Sequence, residues 1–271
     1  MIPLAALTLW RKQAPWASDA QVEQDLLLSR ALVEIFTDPL LKEHLAFRGG
    51  TALHKLFLLP AARYSEDIDL VQIHAGPFGP CMTALRARLD PWLGEPKRKQ
   101  SEGRVTFIYR AETETEPKSL MRLKVEVNTR EHFCVLGHQT KPFQVENPWF
   151  TGQAPILTYQ LEELLGTKLR ALYQRKKGRD LFDLAYALQK EPTLHPQAII
   201  QCFERYTREG NTRIRREAFL LNLQEKLRDA RFGTDMPPLL RSQEATEEPI
   251  GFSVSESAAF IQETLLARLP A

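Results

Sequence analysis

Only three cysteines, Cys81, Cys134 and Cys202, occur in 271 residues, and none stands in a C-x-x-C pair. An odd number without that spacing argues against a disulfide framework or a thiolate zinc site and fits reduced thiols used as small core residues. The six histidines show no H-x-x-x-H or similar ligand spacing, so no zinc site is assigned. Long apolar runs are missing too. Met1 to Trp16 is apolar only over its first nine residues and then meets Arg11, Lys12 and Pro15. That order and length do not suit a signal peptide, and no run approaches a membrane span. The expectation is a cytoplasmic chain with no membrane partner. One-sided charge is absent as well. Against 36 Lys and Arg stand 34 Asp and Glu, a net charge of +2, so the field of the whole protein does not announce nucleic acid. Internal repeats and low-complexity tracts are also lacking. What the chain does have is 43% hydrophobic content, ample for a core, in a length that suits one large domain or two small ones.

The most informative segment runs from Arg48-Gly-Gly-Thr-Ala-Leu53 to Arg63-Tyr-Ser-Glu-Asp-Ile-Asp-Leu70. On an extended strand side chains alternate between faces, so Asp67 and Asp69 point one way while Ile68 and Leu70 point into the core. Two neighbouring acids repel unless a cation sits between them. Their hard oxygens suit Mg²⁺ or Mn²⁺, with water and nucleotide phosphates filling the remaining coordination positions. Thr51 to Leu59 reads as a short helix whose first turn directs backbone N–H groups toward a phosphate.

The pattern G-G-T-A-L, a spacer and R-x-S-x-D-I-D-L resembles the first motif of the DNA polymerase β-like nucleotidyltransferase superfamily. Within it the chain is most similar to the AbiEii/AbiGii-type (MenT-like) toxins of type IV toxin–antitoxin and phage-defence systems. The resemblance implies that Gly49, Gly50 and Thr51 hold the nucleotide's phosphates and that Asp67 and Asp69 bind the metal. The superfamily's usual Gly-Ser turn is Gly50-Thr51 here, which keeps the hydroxyl. It further implies that Ser65 lies beside the phosphates, although a local turn hydrogen bond is the commoner task of such a serine. Arg48 and Arg63 suit phosphate neutralisation or an ordinary surface equally.

A third acid is needed to complete a two-metal site. Along Lys124-Val-Glu-Val-Asn128 the valines face the core, which sets Lys124, Glu126 and Asn128 on the other side. By resemblance Glu126 completes the triad; the plain alternative is a solvated sheet face. Lys168 falls on the apolar stripe of Leu161, Leu164, Leu165, Leu169 and Leu172, so its amine must snorkel out or meet an anion. In the resembling toxins a lysine on this helix contacts the triphosphate. Arg179-Asp-Leu-Phe-Asp183 matches the family's R-D-L-x-D-L motif. Gly178 is expected to end one helix and Asp180 to begin the next, Asp180 as a capping charge, with Arg179 able to pair with Asp183. Asp183 is the stronger functional candidate, holding Lys168 or Arg179 or touching the substrate hydroxyl.

Further elements follow from periodicity. Ser18 and Asp19 cap a helix through Phe36 that Asp38-Pro39 stops, and another helix covers Cys81 to about Leu93. Val105, Phe107 and Tyr109 mark one strand and Leu123, Val125 and Val127 another, joined by Glu112 to Lys118. The first half therefore reads as helix, strand, helix, strand, strand. Helical stripes follow at 181–188, 199–203 and 214–227, then a loose stretch from 233 to 249, the best candidate for a mobile segment. Ser253 with Glu256 resembles a capping box for a last helix through Leu269. The expected fold is α+β: a nucleotidyltransferase-type mixed-sheet core flanked by helices over residues 1–155, then a helical bundle over 156–271. The active site is expected in the cleft between them.

Between Leu161 and Phe232 fifteen Lys and Arg face ten Asp and Glu, a pattern that suits an RNA acceptor and a solvated helix face alike. By resemblance the reaction is metal-dependent transfer of NMP from an NTP to the tRNA 3′ end, which blocks translation until a cognate antitoxin intervenes. Catalytic roles fall to Asp67, Asp69, Glu126, Lys168 and Asp183, metal binding to Asp67, Asp69 and Glu126, and phosphate binding to Gly49, Gly50, Thr51, Ser65 and Lys168. Transfer to a protein or an aminoglycoside-like small molecule, and a non-catalytic nucleotide-binding regulatory module, remain the competing readings.

Overall fold

The structure is a computed structural model and describes residues 2–115, 118–241 and 251–270. The chain divides into two compact units. The first holds residues through Phe133 and His138–Tyr159; the second holds Cys134–Gly137 and the helices from Gln160 onward.

The first unit is built on a seven-stranded mixed sheet: β1 (Leu45–Arg48), β2 (Asp67–Gln72), β3 (Lys97–Ser101), β4 (Arg104–Glu112), β5 (Leu120–Asn128), β6 (His138–Asn147) and β7 (Phe150–Tyr159). Their order is β3-β4-β5-β2-β1-β7-β6. The central pairings β2/β5 and β1/β7 are parallel and the rest antiparallel. One face is covered by α2 (Asp19–Thr37), with α1 (Leu4–Trp10), α3 (Pro39–His44) and α5 (Gly79–Leu93) around it. Ser18 opens α2 with a capping box completed by Gln21, and its side chain accepts the Gln21 N–H. Leu26, Leu28, Leu32, Ile35 and Phe36 of α2 are fully buried, with Phe36 against Phe47 of β1 at 6.5 Å between ring centres. Asp38 then caps α3 in turn, accepting the Leu40 and Leu41 N–H groups, with Pro39 in the first helical turn where its missing N–H is harmless.

The strand inventory of this unit exceeds the sequence expectation. Residues 45–48 form β1 instead of a lead-in to the glycines, and β3, β6 and β7 were not anticipated. All five residues of β3 are exposed, so no apolar alternation advertises it. Pro142 and Pro155 face each other across β6 and β7, and prolines argue against strands in a sequence. Both are tolerated because β6 is an edge strand and β7 meets β1 near its far end, at Thr158.

The second unit comprises α6 (Leu161–Gln174), α7 (Gly178–Lys190), α8 (Pro196–Glu209), α9 (Arg216–Leu227) and α10 (Val254–Thr264). Here α6 packs on α7, α8 and α9, and α10 on α7. Fully buried Glu163 of α6 accepts the Val135 and Leu136 N–H groups and the Tyr206 hydroxyl, tying a loop and α8 to one carboxylate. Gly178 opens α7 and does not close α6. Its N–H donates to Asp235 Oδ1 at 2.8 Å, and a Cβ there would collide with Gly233. Ser253 caps α10, which ends at Thr264, short of Leu269; a single 3₁₀ turn over Leu266–Arg268 follows. Of the expected mobile segment, residues 233–241 are described and include a 3₁₀ turn at Pro237–Leu239, while 242–249 lie outside the described residues.

Candidate active site

The carboxylates gather on the sheet face opposite α2. Ile68 and Leu70 of β2 are buried against the helices, so Asp67 and Asp69 turn the other way. Parallel pairing of β2 with β5 makes Asp69 and Glu126 direct Cα partners and sets Asp67 opposite Lys124. The three acids therefore share one face of two adjacent strands, which lie about 4.8 Å apart.

A cation already stands among them. The Lys124 ammonium is 3.0 Å from Asp67 Oδ2 and 3.6 Å from Glu126 Oε2, and Arg104 Nε reaches Glu126 Oε1 at 3.3 Å. Burial is the main reason that Asp67 is pushed up to about 6; Asp69 adds to the rise, and Lys124 opposes it. Burial alone would lower Lys124, but Asp67, Asp69 and Glu126 together lift it above the usual lysine value. Sequence reasoning placed Lys124 on this face without a role, and it missed Arg104. Among the described residues no three acid, histidine or cysteine side chains are assembled as a ready-made metal centre, and the Lys124 ammonium stands between Asp67 and Glu126. The donor types nevertheless fit a hard divalent ion: three carboxylates with no thiolate or imidazole beside them.

The diglycine turn ends β1 and leads into α4 (Gly49–Ala52) and a π-turn over Leu53–Phe57. Gly49 has φ +84°, and a Cβ there would run into Asp69 Oδ2. A Cβ on Gly50 would strike Arg63 Nη2 and come within 3.2 Å of Ser65 Oγ. Glycine is thus required by the closeness of the turn to the acids. The Thr51 hydroxyl donates to the Asp67 carbonyl at 2.5 Å and shares a 2.9 Å hydrogen bond with Ser65 Oγ, fastening the turn to the start of β2. Arg63 is buried and donates to the Tyr64 carbonyl at 2.9 Å, while Arg48 pairs with Glu131 at 2.7 Å. Neither is an ordinary surface arginine.

In the helical unit, Lys168 is buried on the apolar stripe of α6 and has found its anions within the same unit. Its amine lies 3.2 Å from Asp180 Oδ1 and 3.0 Å from Asp183 Oδ2, both carboxylates being fully buried. Arg175 grips Asp180 through both nitrogens, at 2.7 and 2.8 Å. Burial alone would raise Asp180, but Lys168 and Arg175 hold it below the usual carboxylate range. Asp180 is therefore part of a buried ion network and more than an exposed capping charge. Lys226 of α9 donates to the Leu172 and Tyr173 carbonyls at the end of α6, and burial brings it down to about 8.

A family model described as "Nucleotidyl transferase AbiEii toxin, Type IV TA system" matches residues 30–259. Among solved structures, MenT4, a nucleotidyltransferase toxin from Mycobacterium tuberculosis H37Rv, is similar at 17% identity, with a TM-score of 0.62 over 99% of this chain and 91% of that one. A candidate nucleotidyltransferase from H. pylori shares 18% identity, with a TM-score of 0.51 over 92% of this chain and 97% of its own. At such identities these two likenesses carry the fold alone. Among curated protein sequences none matches the chain.

Proposed function

The chain belongs to the AbiEii nucleotidyltransferase toxin family of type IV toxin–antitoxin systems, and on that premise we propose that it transfers a nucleoside monophosphate from an NTP to the 3′ end of tRNA. Pyrophosphate leaves, and translation stops until a cognate antitoxin intervenes. One observation supports the catalytic part above all others: Asp69 and Glu126 are direct partners on adjacent strands, with Asp67 on the same face and the diglycine turn pressed against Asp69.

Asp67, Asp69 and Glu126 would hold Mg²⁺ or Mn²⁺, which when bound neutralises charge developing on the phosphoryl oxygens and on the leaving group. The chain's own residues position the reactants. Gly49 and Gly50 let the phosphates approach the backbone, and Thr51 with Ser65 keeps the turn fixed to β2. The expected phosphate lysine, Lys168, stands in the helical unit, where its amine is held by buried Asp180 and Asp183. The acceptor hydroxyl gives its proton to solvent and its oxygen bonds to the α-phosphorus, while the bond from that phosphorus to the α–β bridging oxygen breaks and its electron pair leaves with pyrophosphate. Catalysis of this kind is mainly positioning and charge neutralisation.

Radiolabelled NTPs incubated with the protein, Mg²⁺ and total RNA test the assignment. Label in tRNA is the expected result. Label only in protein or in a small molecule would replace the acceptor, and no transfer with any NTP would remove the reading.

A further inference from the structure

We propose that Lys97, Lys99 and Arg104 form the track on which the sugar–phosphate backbone of the RNA acceptor lies, an assignment that rests on the RNA acceptor proposed above. Sheet register carries the argument. Residues opposed across neighbouring strands project from the same face. Pairing of β3 with β4 sets Lys99 opposite Thr106 and Lys97 opposite Ile108. Pairing of β4 with β5 sets Thr106 opposite Glu126, Ile108 opposite Lys124 and Arg104 opposite Asn128. With β2 added, two rows cross the sheet on one face: Asp69, Glu126, Thr106, Lys99, and Asp67, Lys124, Ile108, Lys97.

The strand order gives these rows a direction. The diglycine turn follows β1, on the far side of β2 from β5, whereas β3 is the sheet edge on the other side. Across the face the sequence is therefore turn, carboxylates, lysines. Phosphoryl transfer places the attacking and leaving oxygens roughly in line through the phosphorus. With the donor's phosphates at the turn, the acceptor arrives from the β3 side. Lys97 and Lys99 stand two strands beyond β5, about 10 Å away, too far to serve the carboxylates and well placed for an incoming polyanion. Every residue of β3 is exposed and none is acidic. Arg104 links the strip to the acids through its contact with Glu126 at 3.3 Å.

The plain competitor is edge protection, since lysines on an edge strand discourage pairing between sheets. Arg98 separates the two. It lies between the lysines on the same strand, yet it points to the helix side, where Nη1 meets Met82 Sδ at 3.3 Å. Edge protection makes no distinction of face; an RNA track does.

The test uses full-length protein and bulk tRNA, with binding followed by anisotropy over a salt series. The double variant Lys97→Gln/Lys99→Gln is expected to bind tRNA about tenfold or more weakly near physiological salt. The slope of log affinity against log salt should shrink by about 1.4 to 1.8, the release of two phosphate contacts. NTP affinity and melting temperature stay at wild-type values, and Arg98→Gln changes tRNA affinity less than about twofold, as expected where no phosphate contact is lost. A double variant with wild-type affinity and slope, an equal loss in Arg98→Gln, or self-association in place of an RNA effect would overturn the track. If wild type labels RNA and the double variant does so with unchanged RNA dependence, the track alone is wrong. If wild type neither binds nor labels RNA, the acceptor assignment and the track fall together.

Discussion

Asp69 of β2 and Glu126 of β5 are Cα partners in a parallel ladder, so two acids far apart in sequence are fixed side by side by backbone hydrogen bonds. The loops contribute little to this arrangement, and substitutions at the acids should change chemistry without unfolding the protein. Asp67→Asn is expected to lower transfer by about a thousandfold, equivalent to about 4 kcal/mol of lost charge stabilisation. Circular dichroism and the melting temperature should stay near wild type. Turnover within a few-fold of wild type would remove Asp67 from the site.

Lys124 is the resident counter-charge of this cluster. Lys124→Met leaves three carboxylates facing one another, so the metal-free variant should melt below wild type, and saturating Mg²⁺ should raise its melting temperature by more than it raises that of wild type. Thermal scans with EDTA and with Mg²⁺ check this. An equal metal-induced rise in both proteins would show that Lys124 does not compete for the metal's place.

Gly49 carries φ +84° against the Asp69 carboxylate. Gly49→Ala is expected to cost about 1–2 kcal/mol of stability through the left-handed backbone. Because the new methyl must displace Asp69, transfer should fall at least about tenfold, beyond what the stability loss explains. Denaturant titration alongside the transfer assay separates the two effects.

The ion network of the helical unit makes a stability prediction of its own. Lys168→Met leaves buried Asp180 and Asp183 without their shared amine and should cost about 3–5 kcal/mol. Adding Asp183→Asn to that variant should recover part of the loss, since one buried charge disappears. Urea unfolding of the single and double variants gives the comparison; a single variant as stable as wild type would deny the network its structural weight.

The carboxylate pair was legible because Asp67, Ile68, Asp69 and Leu70 alternate so cleanly that a strand was the only economical reading. The face of Glu126 was legible for the same reason, from the alternating valines of β5. Its expected place beside the acid pair is met by the β2/β5 ladder, but the register that sets it opposite Asp69 is a tertiary property that periodicity does not contain. Lys168 stood out as a lysine on an apolar stripe, and Asp183 was among its expected partners. Asp180 as a second partner depends on how α7 turns back on α6, which periodicity does not contain. Gly178 was misread because a glycine after a helix usually ends it, whereas here close contact with Gly233 requires a glycine at the start of the next helix. The edge strand β3 carries only polar and charged residues, so no alternation marks it in the sequence, and only the ladder aligns its lysines with the acids.

Nucleotidyl transfer is proposed above for the carboxylates shared by β2 and β5. Its most direct measurement is the rate of label transfer from a radiolabelled NTP to RNA by Glu126→Gln beside wild type, with both proteins shown to melt alike. A loss of about a thousandfold is expected, since Glu126 is the member of the trio contributed by the second strand. A rate within about threefold of wild type, less than one kcal/mol of barrier, would contradict it.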